Sequence, residues 1–242
     1  LITPSRWFKT GSGLDGFRED RLKDTHFRVL HDFRDSHLLF DTVDIKGGVN
    51  YFLWDRDWDG KTDLFLHDSA TEVRHSNRYL LEPGLDIFVR DERALPILRK
   101  VLAKGEEPFS SILSAQDPFG FDVRQEGSMK RKQHEFAVRK SEINCVTIYY
   151  NGWRKDGIKY VPRNAVGAHP EWVDKVKVFL PKVWGTGDLR NSRIPAFIVE
   201  PPSVCTETYI TLTPFKTREE AEHALGYVET KFFHFLVGIR KT

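Results

Sequence analysis

"GGVNYFLWDRDWDGKTDLF", residues 47 to 65, decides how the first part of the chain is read. Two glycines precede an apolar run, Val49, Tyr51, Phe52, Leu53 and Trp54, and carboxylates follow at Asp55, Asp57, Asp59 and Asp63. The run lacks polar alternation, the pattern of a strand covered on both faces. The aspartates then read as the polar tip of a hairpin that returns through "TDLFLHD". Two chemical readings compete with it. Asp55, Asp57, Asp59 and Gly60 match the first acidic positions and the glycine of a calcium loop, but the bidentate acid such a loop needs falls on Leu66. A metal-dependent nuclease needs converging carboxylates, and Asp55, Asp57, Asp59 and Asp63 are the ones it would use, with Lys61 nearby.

Working outward, a short strand at residues 1 to 3 leads through "TGSG" into a helix from about Leu14 to Leu22. There Leu14, Phe17, Arg18 and Leu22 recur at three- and four-residue intervals, the period of one buried helix face. The strand "FRVLHDF" follows, and the whole reads as the tail of an α/β sheet. Leu1 opens a strand already under way, so the chain is expected to begin within a longer protein. Near Ser69 the texture turns polar, which places the expected boundary between a first domain, residues 1–68, and a second, residues 69–242. The second reads as mixed α+β. It holds a helix "VRDERALPILRKVLAKG" interrupted at Pro96, a strand "INCVTIYYNG", a short helix around "PEWVDK", a strand "VKVFLP" and a long strand "SVCTETYITLTPF". A last helix runs from Thr217 to about Lys241, opened by a capping box of Thr217 and Glu220.

The 242 residues are 40% hydrophobic and 30% charged, enough apolar material for one large core or two small ones. Lys plus Arg number 37 and Asp plus Glu 35, so a net charge of +2 does not reveal a polyanionic partner; any basic surface has to be local. No apolar run approaches the roughly 20 residues of a membrane span, so a soluble intracellular protein with no membrane partner is expected. Cys145 and Cys205 lie in strand-like contexts without Cys or His at ligand spacing, and read as reduced buried thiols rather than a zinc site.

"FIVEPPSV", residues 197 to 204, mimics the Asn/Asp-Pro-Pro-aromatic tetrapeptide that holds a flipped base amine, but Glu200 is one methylene too long and Ser203 cannot stack. "TGSGLDG" and "GTGD" lack the strand, glycine and helix arrangement of a dinucleotide site and read as turns. The basic stretches carry more. Arg124, Lys130, Arg131, Lys132, Arg139 and Lys140 face only Glu126 and Glu135 in that segment. "YYNGWRKDGIKY" and "WGTGDLRNSR" set Trp153 and Trp184 beside Arg154, Lys155, Lys159, Arg190, Asn191 and Arg193. Arg and Asn read guanine and adenine edges, while Lys holds phosphates, so these residues are the candidate duplex-DNA contacts.

"LITPSRWF", "GLDGFRE", "DIKGGVNYFLWDRD", "SAQDPFGFDV", "VDKVKVFLPK" and "EPPSVCTETYI" occur in an order that resembles the C-terminal half of adenine-specific DNA methyltransferases of bacterial type II restriction-modification systems. The resemblance spans essentially the whole chain, "GGVNYFLWDRD" and "SVCTETY" being its most specific parts. It implies that residues 1–68 are the terminal strands of a methyltransferase-like α/β domain and residues 69–242 a target-recognition domain. It also implies a bacterial cytoplasmic enzyme that uses S-adenosylmethionine. The family's glycine loop and Asn-Pro-Pro-Tyr tetrapeptide lie upstream and are not in this sequence, so no cofactor and no catalytic residue is expected here. The expected partners are double-stranded DNA and the missing N-terminal catalytic part or a restriction subunit. Besides the nuclease, a non-catalytic interaction domain stands as an alternative.

Overall fold

Between Leu1 and His67 the chain forms β1 (Ile2–Pro4), α1 (Asp15–Lys23), β2 (Phe27–Phe33), β3 (Val49–Trp54) and β4 (Thr62–His67). The computed structural model describes residues 1–9, 13–121, 136, 144–184 and 193–240. β3 lies between β1 and β2 and is antiparallel to both, β2 pairs with β4 in parallel, and β5 (Val73–Arg78) closes the order β1-β3-β2-β4-β5. The expected hairpin is therefore corrected: β3 and β4 do not pair, because β2 lies between them. The turn that carries the aspartates is pinned to the start of β2. Asp55 N–H donates to the His26 carbonyl, Gly60 N–H donates to the Thr25 carbonyl, and the Asp55 carboxylate sits 3.2 Å from Arg28. From there the chain can only descend on the far side of β2.

The expectation that the strand Val49–Trp54 is covered on both faces also fails, since Leu53 and Trp54 are exposed, and the neighbouring β4 shows the same one-sided burial. Thr62, Leu64 and Leu66 are buried while Asp63, Phe65 and His67 are half-exposed. One face packs on Trp7, Phe8, Leu22 and Phe88. The other is half-exposed and carries the row Tyr51, His31, Phe65, His75, in which neighbouring rings stack with centroids 4.5 to 4.7 Å apart. That distance is the spacing of paired strands, so the rings stand on the sheet and support one another.

Gly48 explains the double glycine before β3. Its φ is +81°, and a Cβ there would lie 2.1 Å from the Phe33 carbonyl oxygen. Only glycine lets the chain pass so close to the end of β2. Beside it, Arg90 donates through Nε and Nη2 to Asp32 and through Nη1 to the Gly47 carbonyl. Asp32 also accepts from Ser5, whose hydroxyl accepts from Asn50. Asp32 is 2% exposed and Asn50 fully buried, so this chain of bonds makes an ion pair tolerable in the interior.

By its contacts the chain forms two units, Leu1–Glu106 with Leu236–Thr242, and Glu107–Phe235. The first continues past the change of texture near residue 69 because β5 pairs along the whole of β4. It then includes α2 (Leu95–Leu102), preceded by a short 3-10 turn at Glu92–Ala94. Pro96 falls in the first turn of α2, where its missing N–H is not needed, so it starts a helix rather than kinking one.

The second unit holds two three-stranded sheets. β6 (Cys145–Tyr149) lies between β7 (Lys159–Pro162) and β10 (Ser203–Cys205), and β8 (Val176–Pro181) lies between β9 (Phe197–Val199) and β11 (Tyr209–Phe215). The expected long strand from Ser203 to Phe215 is thus two strands in different sheets, divided by a turn in which Tyr209 N–H donates to the Thr206 carbonyl. The core gathers Phe119, Phe121, Phe136, Val146, Ile148, Tyr150, Phe179, Val204 and Cys205. Cys205 is buried, Cys145 half-buried, and neither is joined in a disulfide. The "PEWVDK" segment forms a single 3-10 turn, Pro170–Trp172, held from below by Lys177. The Lys177 ammonium donates to the carbonyls of Trp172, Val173 and Lys175 at 2.7, 3.2 and 2.7 Å.

The last helix is also divided, into α4 (Arg218–Val228) and α5 (Lys231–Arg240). Thr217 caps α4 by accepting from Glu220 N–H. Thr230 ends one helix and opens the next: its hydroxyl donates to the Tyr227 carbonyl and accepts from Phe233 N–H. Among the described residues no helix is long and apolar enough to cross a membrane.

Burial draws Lys177 down to about 8 from an ordinary 10.5. The unfolded chain then binds more protons than the folded one between those values, and stability rises with pH across that window. Lys177→Met removes a donor from three carbonyls and is expected to cost about 2 kcal/mol at pH 7. The deficit should widen toward pH 9.5, where only the wild type gains. Urea unfolding at the two pH values reads both effects.

Candidate nucleic-acid interface

β6 ends at Tyr149, and the chain turns through Gly152 at φ +95° into α3 (Trp153–Asp156), a single helical turn closed by Gly157 at φ +81°. Both positions lie in the left-handed region, where glycine is the favoured residue. The turn is fastened at both ends: Lys155 and Asp156 N–H donate to the Gly152 carbonyl, and the buried Tyr150 hydroxyl donates to the Gly157 carbonyl at 2.8 Å.

Trp153 is the floor of this turn. Its Nε1 donates to the Tyr209 hydroxyl at 2.9 Å, and its ring meets Phe197 at 5.1 Å and the edge of Tyr149 at 5.0 Å. Burial raises the pKa of Tyr209 and of Tyr149, the nearby Glu200 adding to the latter, so both phenols stay neutral. Above this floor the Arg154 guanidinium lies 5.3 Å from the Trp153 ring and 5.4 Å from Phe197. Arg154 is exposed and makes no hydrogen bond or ion pair with a described residue. Cation–π contact with two rings steadies the guanidinium without using its N–H donors. Lys155 beside it is exposed, whereas Lys159 is half-buried with its ammonium 4.9 Å from the Tyr150 ring.

Of the sequence-predicted contacts, Trp153, Arg154 and Lys155 therefore share one turn, and Lys159 opens β7 just after it. Arg193 is exposed in the stretch leading into β9, next to Ile194, whose N–H donates to His234. Lys130, Arg131, Lys132, Arg139, Lys140, Arg190 and Asn191 lie outside the described residues. Phe136, the one described residue between positions 122 and 143, is 3% exposed in the core and meets Tyr150 at 6.2 Å. Phe197, Tyr149 and Tyr209 were not singled out by sequence. They come from three strands spread over some sixty positions, and no local pattern links them.

The aspartates of the opening stretch do not converge. Asp55 faces Arg28, Asp63 accepts from His75 and Asn77, and Asp57 and Asp59 are exposed. Among the described residues no three His, Cys, Asp or Glu side chains gather as a metal site. Glu200 of "EPPS" pairs with Arg218 at the surface.

No family model and no curated protein matches the chain. Two solved structures similar to parts of it are a type IIL restriction-modification enzyme, MmeI, in complex with DNA, and a type IIG restriction endonuclease, BpuSI. The first is 10% identical over 86% of this chain and 32% of that one, with a TM-score of 0.40. The second is 12% identical over 94% and 36%, with a TM-score of 0.30. The chain thus spans about a third of the length of either.

Tyr209→Phe leaves the fold's rings in place but removes the acceptor of the Trp153 indole. The expected cost is about 1 kcal/mol. Hydrogen exchange of the Trp153 indole proton, followed by NMR, should quicken in the variant if that bond holds the floor of the turn.

Proposed function

We propose that this chain is the DNA-recognising part of a bacterial cytoplasmic restriction-modification enzyme that methylates adenine N6 with S-adenosylmethionine. The observation that carries the reading is Arg154, exposed, with no hydrogen-bond partner among the described residues, and resting against both the Trp153 and Phe197 rings. A guanidinium fixed in this way can donate two parallel hydrogen bonds to the O6 and N7 of a guanine, or to a phosphate, without first losing side-chain freedom. Lys155 and Arg193, and by sequence Lys130, Arg131, Lys132, Arg139, Lys140, Arg190 and Asn191, supply further phosphate or base-edge contacts. The resemblance of "GGVNYFLWDRD" and "SVCTETY" to the methyltransferase family agrees with this. So does the first sheet, where mutually parallel β1, β2 and β4 are interrupted and flanked by antiparallel strands, as at the end of an α/β sheet.

The residues present do not fit S-adenosylmethionine. The glycine loop and the tetrapeptide are not among the 242, and Glu200, engaged by Arg218, does not replace the tetrapeptide's leading residue. No step of methyl transfer is assigned to this chain; the catalytic groups would come from an upstream part or another subunit. The divergence of Asp55, Asp57, Asp59 and Asp63 weighs against the nuclease alternative.

Anisotropy titrations with labelled duplexes at several salt concentrations test the reading. Changing Lys130, Arg131 and Lys132 together to Ala should flatten the salt dependence by about 0.9 per lost phosphate contact. Arg154→Ala should cost ~1 to 3 kcal/mol and relax preference at one base pair. A salt slope untouched by the first change and an affinity untouched by the second would sink the proposal. An interaction domain of the same ancestry would show no duplex affinity at all.

A further inference from the structure

The hairpin of β6 and β7 carries more at its tip than Arg154. β6 pairs with β7 as far as Ile148 and Lys159, and with β10 as far as Tyr149 and Cys205, so residues 150–158 lie beyond the paired strands. Trp153 N–H donates to the Tyr150 carbonyl at 3.2 Å, and Gly152 has φ +95° and ψ −2°. With a negative φ at Asn151, residues 150–153 make a type II β-turn, Asn151 at its first corner and the glycine at its second. Asn151 thus opens the closed turn that carries Arg154 three residues on.

Asparagine in a turn ordinarily serves the backbone, by bonding a main-chain group nearby or by taking a left-handed φ. Asn151 does neither. It is exposed, and no described residue exchanges a hydrogen bond with its amide. The first corner of a type II turn favours proline, so the turn itself does not call for this side chain. Its donor and acceptor are left side by side, facing no partner among the described residues.

The neighbours narrow the ligand. Between Asn151 and Lys159, the cations Arg154, Lys155 and Lys159 stand against Asp156 alone, whose carboxylate leans on Gly152, 3.2 Å from where a Cβ would be. Ile158 is 40% exposed. Cations by themselves suit phosphates, but an isoleucine matches a thymine methyl and nothing on a phosphate. An unengaged amide matches the adenine edge, so the exposed set is that of a groove reader rather than a backbone clamp.

Resting on the DNA-recognition reading above, we infer that Asn151 is a specificity-determining residue, which accepts from N6 and donates to N7 of an adenine in the major groove, close to the base pair that Arg154 reads. The two bonds use both atoms of the amide, so a base lacking that donor and acceptor pair loses at least one of them.

Anisotropy titrations of the full chain, with a duplex selected from a random pool and then changed one base pair at a time, test the assignment. At the adenine that Asn151 reads, 7-deazaadenine removes N7 alone and should weaken the wild type about tenfold. Asn151→Ala should be indifferent to that replacement, lose its preference at this one pair, and keep its salt slope, since no phosphate contact is lost. Arg154→Ala should relax a different pair. If Asn151→Ala discriminates at every A·T pair as the wild type does, or if no adenine N7 matters to the wild type, the assignment is overturned while DNA recognition stands. A chain that binds no duplex overturns both.

Discussion

Irregular backbone runs through the interior of both units, and buried cations satisfy its carbonyls. Strands here are three to seven residues long, and the segments between them cannot pair their own polar groups. Arg18, 7% exposed, donates to the carbonyls of Lys9 and Asp86, fixing the end of the first turn against the segment after β5. Arg78 donates to the Val89 carbonyl and Arg90 to that of Gly47. In the second unit Lys177 alone serves three carbonyls and is wholly buried. Each interaction carries a desolvation cost, visible in the lowered pKa of Arg78 and of Lys177. The return is that loops can cross the core without a helix or a strand to organise them.

This way of building leaves the Trp153–Asp156 turn supported from beneath and open above. The floor beneath Arg154 is made of side chains from β6, β9 and β11, so the guanidinium rests on two sheets rather than on its own loop. A reading residue gains affinity when its conformation is fixed before the ligand arrives. The loop itself needs only glycines at its ends and one tyrosine hydroxyl to hold its shape. Residues at its surface can change without disturbing the floor.

Local signals made much of this legible. Phe27–Phe33, Val49–Trp54 and Val176–Pro181 are bounded by charge, glycine or proline, and their limits follow from the sequence. The Thr217 cap is legible for the same reason. Pairing is not, because β2 separates β3 from β4 through contacts that no local pattern encodes. The division of "SVCTETYITLTPF" is hidden as well: Thr206 and Thr208 have strand propensity, and only the placing of Ser203–Cys205 and Tyr209–Phe215 in different sheets turns the chain there. Among the candidate contacts, the composition of "YYNGWRKDGIKY" announces an aromatic beside a cation, but not that Phe197 and Tyr209 complete the support from far along the chain.

The distinction that matters for function is therefore between cations the fold consumes and cations it leaves over. Arg18, Arg78, Arg90 and Lys177 carry the same formal charge as Arg154 and Lys155, and a net charge of +2 counts them alike. The first group spends its donors on carbonyls and on Asp32, so its field is largely answered inside the protein. The second is exposed, with no hydrogen-bond or ion-pair partner among the described residues, and these are the groups an anionic ligand can satisfy. A chain close to neutral can present a cationic surface to a polyanion when its carboxylates are paired internally and its unpaired cations face outward.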